Sequence, residues 1–114
     1  MEIKTEDYNI RYDKASHNIV FDGSLRPNDS RERASISELL GSIARQEPEK
    51  IILDLRELNF LNSSGIGILS QFVIDVRNRK NIQMVVLGAK KNPWQNKSLK
   101  NLQRLMPSLK LKLE

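Results

Sequence analysis

Two hydroxyls stand side by side at Ser63 and Ser64, between Asn62 and Gly65. A serine oxygen can attack an acyl or phosphoryl centre when a base activates it, or it can receive a phosphoryl group from another enzyme. The first chemistry finds little support. A nucleophile elbow needs glycine two residues before and two residues after its serine, because the turn is too tight for side chains. Ser63 has Gly65 after it but Leu61 before it. A Ser-His-Asp triad would have to recruit His17, the only histidine, which falls in a predicted hairpin turn and reads as a solvated turn residue. Without cysteine there is no thiol nucleophile, disulfide or thiolate metal site, and one histidine excludes a His-rich cluster. No H-E-x-x-H, Walker loop or EF-hand pattern occurs, and Gly65-x-Gly67 lacks the third glycine of a dinucleotide-binding turn. The expectation is a chain with no catalytic residues, no cofactor and no metal.

The second chemistry depends on where the serines sit. The stretch Leu58-Asn59-Phe60-Leu61-Asn62-Ser63-Ser64-Gly65-Ile66-Gly67 follows an apolar run and opens an amphipathic segment. One reading is purely structural: Asn62 or Ser63 caps the helix, and the glycines let it pack closely on a sheet. The other is a switch. Unpaired N–H groups and the macrodipole at a helix start favour an anion, so a phosphate of about −1.5 to −2 charge is tolerated there. The fold then stays as it is while a neutral hydrogen-bonding patch becomes dianionic. A partner fitted to the neutral patch is repelled. The glycines at 65 and 67 leave the hydroxyl of Ser63 open to a kinase.

The elements that must position these residues are legible along the chain. Tyr8, Ile10 and Tyr12 alternate with polar residues, Ala15 to Asn18 suit a turn, and Ile19-Val20-Phe21 return, so residues 8–22 read as a hairpin. Asp22-Gly23 breaks it, and residues 23–29 read as a loop. Asp29 and Glu32 approach a capping box before a helix of about residues 30–45, with Ile36, Leu39, Leu40 and Ile43 on one stripe. Ile51 to Leu55 suit a strand covered on both faces. A second helix runs from about Ser63 to the stop at Asn78–Asn81, with Ile66, Leu69, Phe72, Val73 and Val76 on one broad face. Ile82 to Leu87 form a strand ended by Gly88. Asn92-Pro93 opens a third helix, with proline at its first position, which Pro107 ends. Leu109, Leu111 and Leu113 alternate with Lys110, Lys112 and Glu114 as an edge strand with charges outward. The order β-β-α-β-α-β-α-β predicts one α/β domain over residues 1–114: a mixed sheet with an N-terminal hairpin, parallel strands joined by helical crossovers, and helices packed on it.

Ile51-Ile52-Leu53-Asp54-Leu55 followed by Phe60-Leu61-Asn62-Ser63-Ser64-Gly65-Ile66-Gly67-Ile68-Leu69 resembles the STAS domain of bacterial anti-sigma factor antagonists, whose strand leads into an Asp-Ser-Ser-Gly-Leu-Gly signature and a helix. The order of elements fits that family from about residue 8 onward. The resemblance implies a non-enzymatic regulator of bacterial transcription that works by partner switching. Its partner would be an anti-sigma factor or serine kinase of the histidine-kinase ATPase fold. That kinase phosphorylates the first signature serine and breaks the complex, and a PP2C-type phosphatase restores it. Carried over, the phosphoacceptor is Ser63, with Ser64 second. The docking surface comprises Asn59, Leu61, Asn62, Ser64, Gly65 and Ile66, joined by Leu25 and Arg26 from the loop after the hairpin. Asn62 stands where the family has aspartate. It still caps a helix but removes a negative charge beside the acceptor. That points either to altered kinase recognition and metal-assisted dephosphorylation, or to a constitutive module that is never phosphorylated.

The signature does not account for the charge distribution. The net charge of +5 conceals −4 over residues 1–76 and +9 over residues 77–114, where Glu114 is the one acid. A solvated lysine-decorated surface explains this as well as an acidic protein partner does. The rival functional reading is a nucleic-acid-binding domain using Lys90, Lys91, Lys97, Lys100 and Arg104 beside Trp94, although one neighbouring ring is a thin basis for base stacking. A small-ligand or lipid-binding domain would need a sizeable apolar cavity. No apolar run approaches the roughly 18 residues of a membrane span, and the first residues carry no apolar signal core, so the expected location is cytoplasmic, away from membranes.

Overall fold

In the computed structural model, which describes residues 1–114, the alternating apolar residues near the N-terminus pair as the sequence predicts. Strand β2 (Tyr8–Asp13) runs antiparallel to β3 (Asn18–Leu25), with Ile10 opposite Phe21 and Tyr12 opposite Ile19. A short strand not anticipated from the sequence, β1 (Glu2–Lys4), pairs antiparallel with β2. Three residues are too few for alternation to register. Strand β3 also passes straight through Asp22-Gly23, so the predicted loop at 23–29 shrinks to 26–29. Gly23 makes this possible. It holds φ at +90°, and any side chain there would run into the Asp7 carbonyl, which instead accepts from the Ser24 N–H at 2.8 Å.

Helix α1 (Ser30–Arg45) starts on the capping arrangement read from the sequence. The Glu32 N–H donates to Asp29 Oδ1 at 2.7 Å, and Glu32 Oε1 accepts from the Asn28 N–H at 3.1 Å. Then follow β4 (Lys50–Leu61), α2 (Ser63–Arg79), β5 (Gln83–Gly88), α3 (Pro93–Leu105) and β6 (Lys110–Leu113). The six strands form one sheet in chain order, with β3 to β6 parallel. Every strand–helix–strand unit therefore steps in the same direction. With crossovers of one hand, all three helices fall on one face. Accordingly α1 packs on α2, and α2 on α3. Ile51, Leu53 and Leu55 are completely buried beneath them, while Ile52 and Asp54 on the other face are only half-buried. The expectation that this strand is covered on both faces is thus overturned. Strand order never reverses, so the sheet has no switch-point crevice of the kind that holds nucleotides in doubly wound folds. No helix is long and apolar enough to cross a membrane.

On the open face Asp54, Arg56 and Glu114 form a chain of ion pairs, with Arg56 2.8 Å from Asp54 and 3.0 Å from Glu114. Burial pushes the Asp54 carboxyl up, but hydrogen bonds and the charge of Arg56 outweigh it and hold the group below the usual carboxylate value of 3.8. The stability this contributes is present above that value and is lost as pH falls through the folded-state one. Urea denaturation at successive pH values should show stability declining below about pH 4. Arg56→Gln should flatten that decline, and an unchanged slope would remove Arg56 from the effect.

Strand β4 outruns its neighbour, since its pairing with β5 ends at Asp54 opposite Leu87. Beyond that point α3 supplies the missing partners. Gln95, completely buried, donates from Nε2 to the Leu55 carbonyl at 2.7 Å and the Leu58 carbonyl at 3.2 Å. Its Oε1 accepts from the Ala89 N–H at 2.6 Å. Asn92 makes no side-chain cap; its Nδ2 reaches the Arg56 and Leu58 carbonyls at 3.4 Å. These contacts tie the far end of β4 to the start of α3.

Candidate functional site

Two bulges shape that far end. Pairing with β3 slips between Val20 and Asp22 and again between Gly23 and Ser24, so β4 carries extra residues near Leu55 and Asn59. The inward positions become Leu55, Leu58 and Leu61, three apart, and Phe60 is turned out to solvent at 44% exposure. The register sets Leu25 beside Leu61, so Arg26 leaves β3 where Asn62 leaves β4. The Asn62 N–H donates to the Leu25 carbonyl at 3.2 Å, which closes the two strand ends together. The Arg26 guanidinium lies over the Phe60 ring, 5.2 Å from its centroid.

Asn62 then starts α2. Its Oδ1 accepts from the Gly65 N–H at 2.9 Å, and its carbonyl accepts from the Ile66 N–H at 3.0 Å. The N–H groups of Ser63 and Ser64 have no acceptor within the protein. Ser63 is exposed and Ser64 half-buried. Gly65 is buried: a side chain there would meet Leu61 Cδ1 at 2.5 Å and the Leu25 carbonyl at 3.1 Å. Its role is close approach of helix to sheet, not access for a kinase. Gly67 does face open space. Ile66, 37% exposed, is a second large apolar side chain left accessible, at the rim of the recess formed with Leu61 and Leu69.

Of the predicted docking residues, Asn59, Asn62, Ser64, Ile66 and Arg26 are at least partly accessible, on the end of β4, the first turn of α2 and the segment that leaves β3 beside them. Leu61, 9% exposed, sits at the edge of the core, in an apolar recess shared with Leu69 and, from α3, Leu99 and Leu102. Leu25 is a correction. It lies in β3 with no exposed surface, so it offers a partner nothing but stiffness, through its carbonyl to Asn62. The sequence reading missed Phe60 as a surface residue. An aromatic followed by a leucine looks like core, and only the bulges reverse it.

His17 precedes β3, whereas Ser63 lies beyond that strand's other end, about 25 Å away at roughly 3.3 Å per residue. No triad forms between them. Nor do three or more His, Cys, Asp or Glu side chains gather as a metal set. Lys97, Lys100 and Arg104 share the outer face of α3 and are exposed, and Trp94 is half-buried against the core. The arrangement is a solvated stripe with no ring standing free for stacking.

The STAS domain family model matches residues 29–112, from the cap of α1 to the last strand. The chain belongs to the STAS domain family. In the crystal structure of the diguanylate cyclase SiaD in complex with its activator SiaC from Pseudomonas aeruginosa, SiaC has the same fold. The TM-score is 0.77 at 13% identity, over 100% of this chain and 99% of that one. Such low identity makes the likeness one of fold. A search of the curated proteins gives no match.

For this STAS domain, Asn62 tests the capping argument directly. Asn62→Ala should lower stability by about 1 kcal/mol in urea denaturation, because the Gly65 N–H loses its acceptor. Asn62→Asp, which restores the family's residue, should match the parent or exceed it by about 0.5 kcal/mol through the helix dipole. Equal loss in both variants would show that the side-chain oxygen is not what matters.

Proposed function

We propose that this STAS domain is a non-catalytic regulatory module. It docks a protein partner through the end of β4, Arg26 and the first turn of α2, and it releases that partner when Ser63 is phosphorylated. The observation that carries the reading is the exposed Ser63 hydroxyl at the first position of α2, beside two unpaired N–H groups and flanked by exposed Phe60 and Ile66. The apolar pair supplies contact area for a partner, and the N–H groups accommodate an anion without unfolding the helix. The partner of the proposed switch is a serine kinase of histidine-kinase ATPase fold. It moves the γ-phosphoryl of ATP to Ser63 Oγ, with the hydroxyl proton passing to the kinase and ADP leaving. A PP2C-type phosphatase resets the switch.

Family membership supports a role through protein contact. SiaC, an activator in complex with a diguanylate cyclase, supports by analogy an output that need not be a sigma factor. The test is incubation with ATP and such a kinase, followed by mass spectrometry that separates Ser63 from Ser64. Phosphate on Ser63 is expected. Modification elsewhere alone would favour the constitutive module that Asn62 also allows.

A further inference from the structure

The basic C-terminal third is left unexplained by the switch, and part of it lines a cavity at the opposite end of the sheet. Strand β4 begins with Lys50, paired in register with Gln83 at the start of β5, and Lys110 opens β6 opposite Val85. Lys80, the C-cap of α2, joins them. With Asn81 and Ser108, these residues line a recess of about 480 Å³, within the range of small-ligand sites. None of the three lysines makes an ion pair, whereas nearby Arg79 is held by Asp75 and Glu47. Gln83 and Ser108 add neutral hydrogen-bonding side chains, while Asn81 offers only its Oδ1, because its Nδ2 already donates to Glu47 Oε1 at 2.8 Å. No carboxylate lines the recess, although Glu49 stands in the adjoining depression.

Lys80 is the informative residue. Its φ of +66° is left-handed, the position where helices usually place glycine. The last turn of α2 already carries Arg77 and Arg79 against the negative end of its dipole, so that end does not depend on a third cation. A lysine there is unfavourable for the backbone and directs charge to the recess.

We propose that this recess is a second site, independent of Ser63, which binds a small diphosphate-bearing anion through Lys50, Lys80 and Lys110. Three mobile ammonium groups from three elements suit the spread negative charge of a diphosphate better than a single carboxylate. Free inorganic pyrophosphate and a nucleoside diphosphate share that chemistry.

The test is titration of the full chain with pyrophosphate and, separately, with ADP, followed by amide NMR. Saturable shifts are expected at Asn81, Gln83 and Ser108, with Gly65 and Ile66 unmoved. Equal affinity for the two probes supports the site with the phosphates as the whole determinant; tighter ADP binding supports it with the nucleoside adding contacts. The triple variant K50Q/K80Q/K110Q should weaken binding roughly tenfold, the combined effect of three exposed charge contacts. Glu49→Gln should tighten it. Lys80→Gly should weaken binding while the urea midpoint holds or rises, which a purely structural lysine would not do. Non-saturating shifts, or equal weakening in the control K97Q/K100Q, would overturn the proposal in favour of diffuse charge screening.

Discussion

Ser63→Asp is expected to weaken partner binding about a hundredfold or more, while Ser63→Ala binds as the parent does and takes up no phosphate. A carboxylate introduced into a docked, water-excluding surface with no cation opposite it costs about 3 kcal/mol, which is roughly two decades of affinity. The partner kinase is the natural binding probe, in a pull-down or by calorimetry without ATP. Misfolding is a poor explanation for such a loss. Position 63 is the first residue of α2, where an acid interacts favourably with the helix dipole by about 0.3–1 kcal/mol. The aspartate variant should therefore unfold at the parent's urea concentration or slightly above it. Ser64→Asp, at the half-buried neighbour, should lose some stability as well as binding, which separates the two serines. Parent-like affinity in Ser63→Asp would eliminate the switch and leave constitutive docking as the surviving account.

The largest effect on the fold itself is expected from Gln95→Leu. The substitution keeps volume in a completely buried position but strands the Ala89 N–H and the Leu55 carbonyl, and leaves the Leu58 carbonyl with only the long Asn92 contact. Two newly unsatisfied buried groups cost about 3 kcal/mol together. For a domain of this size that is a fall in melting temperature of roughly 10–15 °C. Calorimetry and urea denaturation measure it. Since Gln95 ties α3 to the stretch of β4 that leads into Asn62, the amides of Asn59 to Asn62 should also exchange faster with solvent. A loss below about 1 kcal/mol would mean that water reaches those carbonyls and that the end of β4 is held by other means.

Short-range rules governed much of what could be read in advance. The α1 cap on Asp29, the α2 cap on Asn62 and the proline start of α3 each depend on residues within three positions of one another. The β2–β3 hairpin and the apolar stripes of the helices are likewise periodic patterns that need no knowledge of the rest of the chain. The Ser63 neighbourhood was legible for the same reason: strand, cap, hydroxyls and helix are contiguous.

What failed in the reading depended on contacts between distant segments. The bulges in β4 arise from its pairing with β3, so neither the length of the strand nor the outward turn of Phe60 could be taken from alternation. Strand β3 continues past Gly23 because the Asp7 carbonyl closes on it, and that continuation places Leu25 in the core. Gln95 looks like an ordinary helical polar residue until β4 is seen to outrun β5.

From its sequence alone, this protein was determined as an α/β chain with a capped, hydroxyl-bearing helix start, because capping and amphipathic periodicity are local energies. Only the tertiary structure decided that the strands lie in chain order with every helix on one face, that Arg26 and Phe60 join Ser63, and that three lysines meet at the opposite end. Those outcomes depend on which strand edges pair and in what register. Backbone hydrogen bonds are nearly blind to side-chain identity, so that choice is made by packing across the whole sheet.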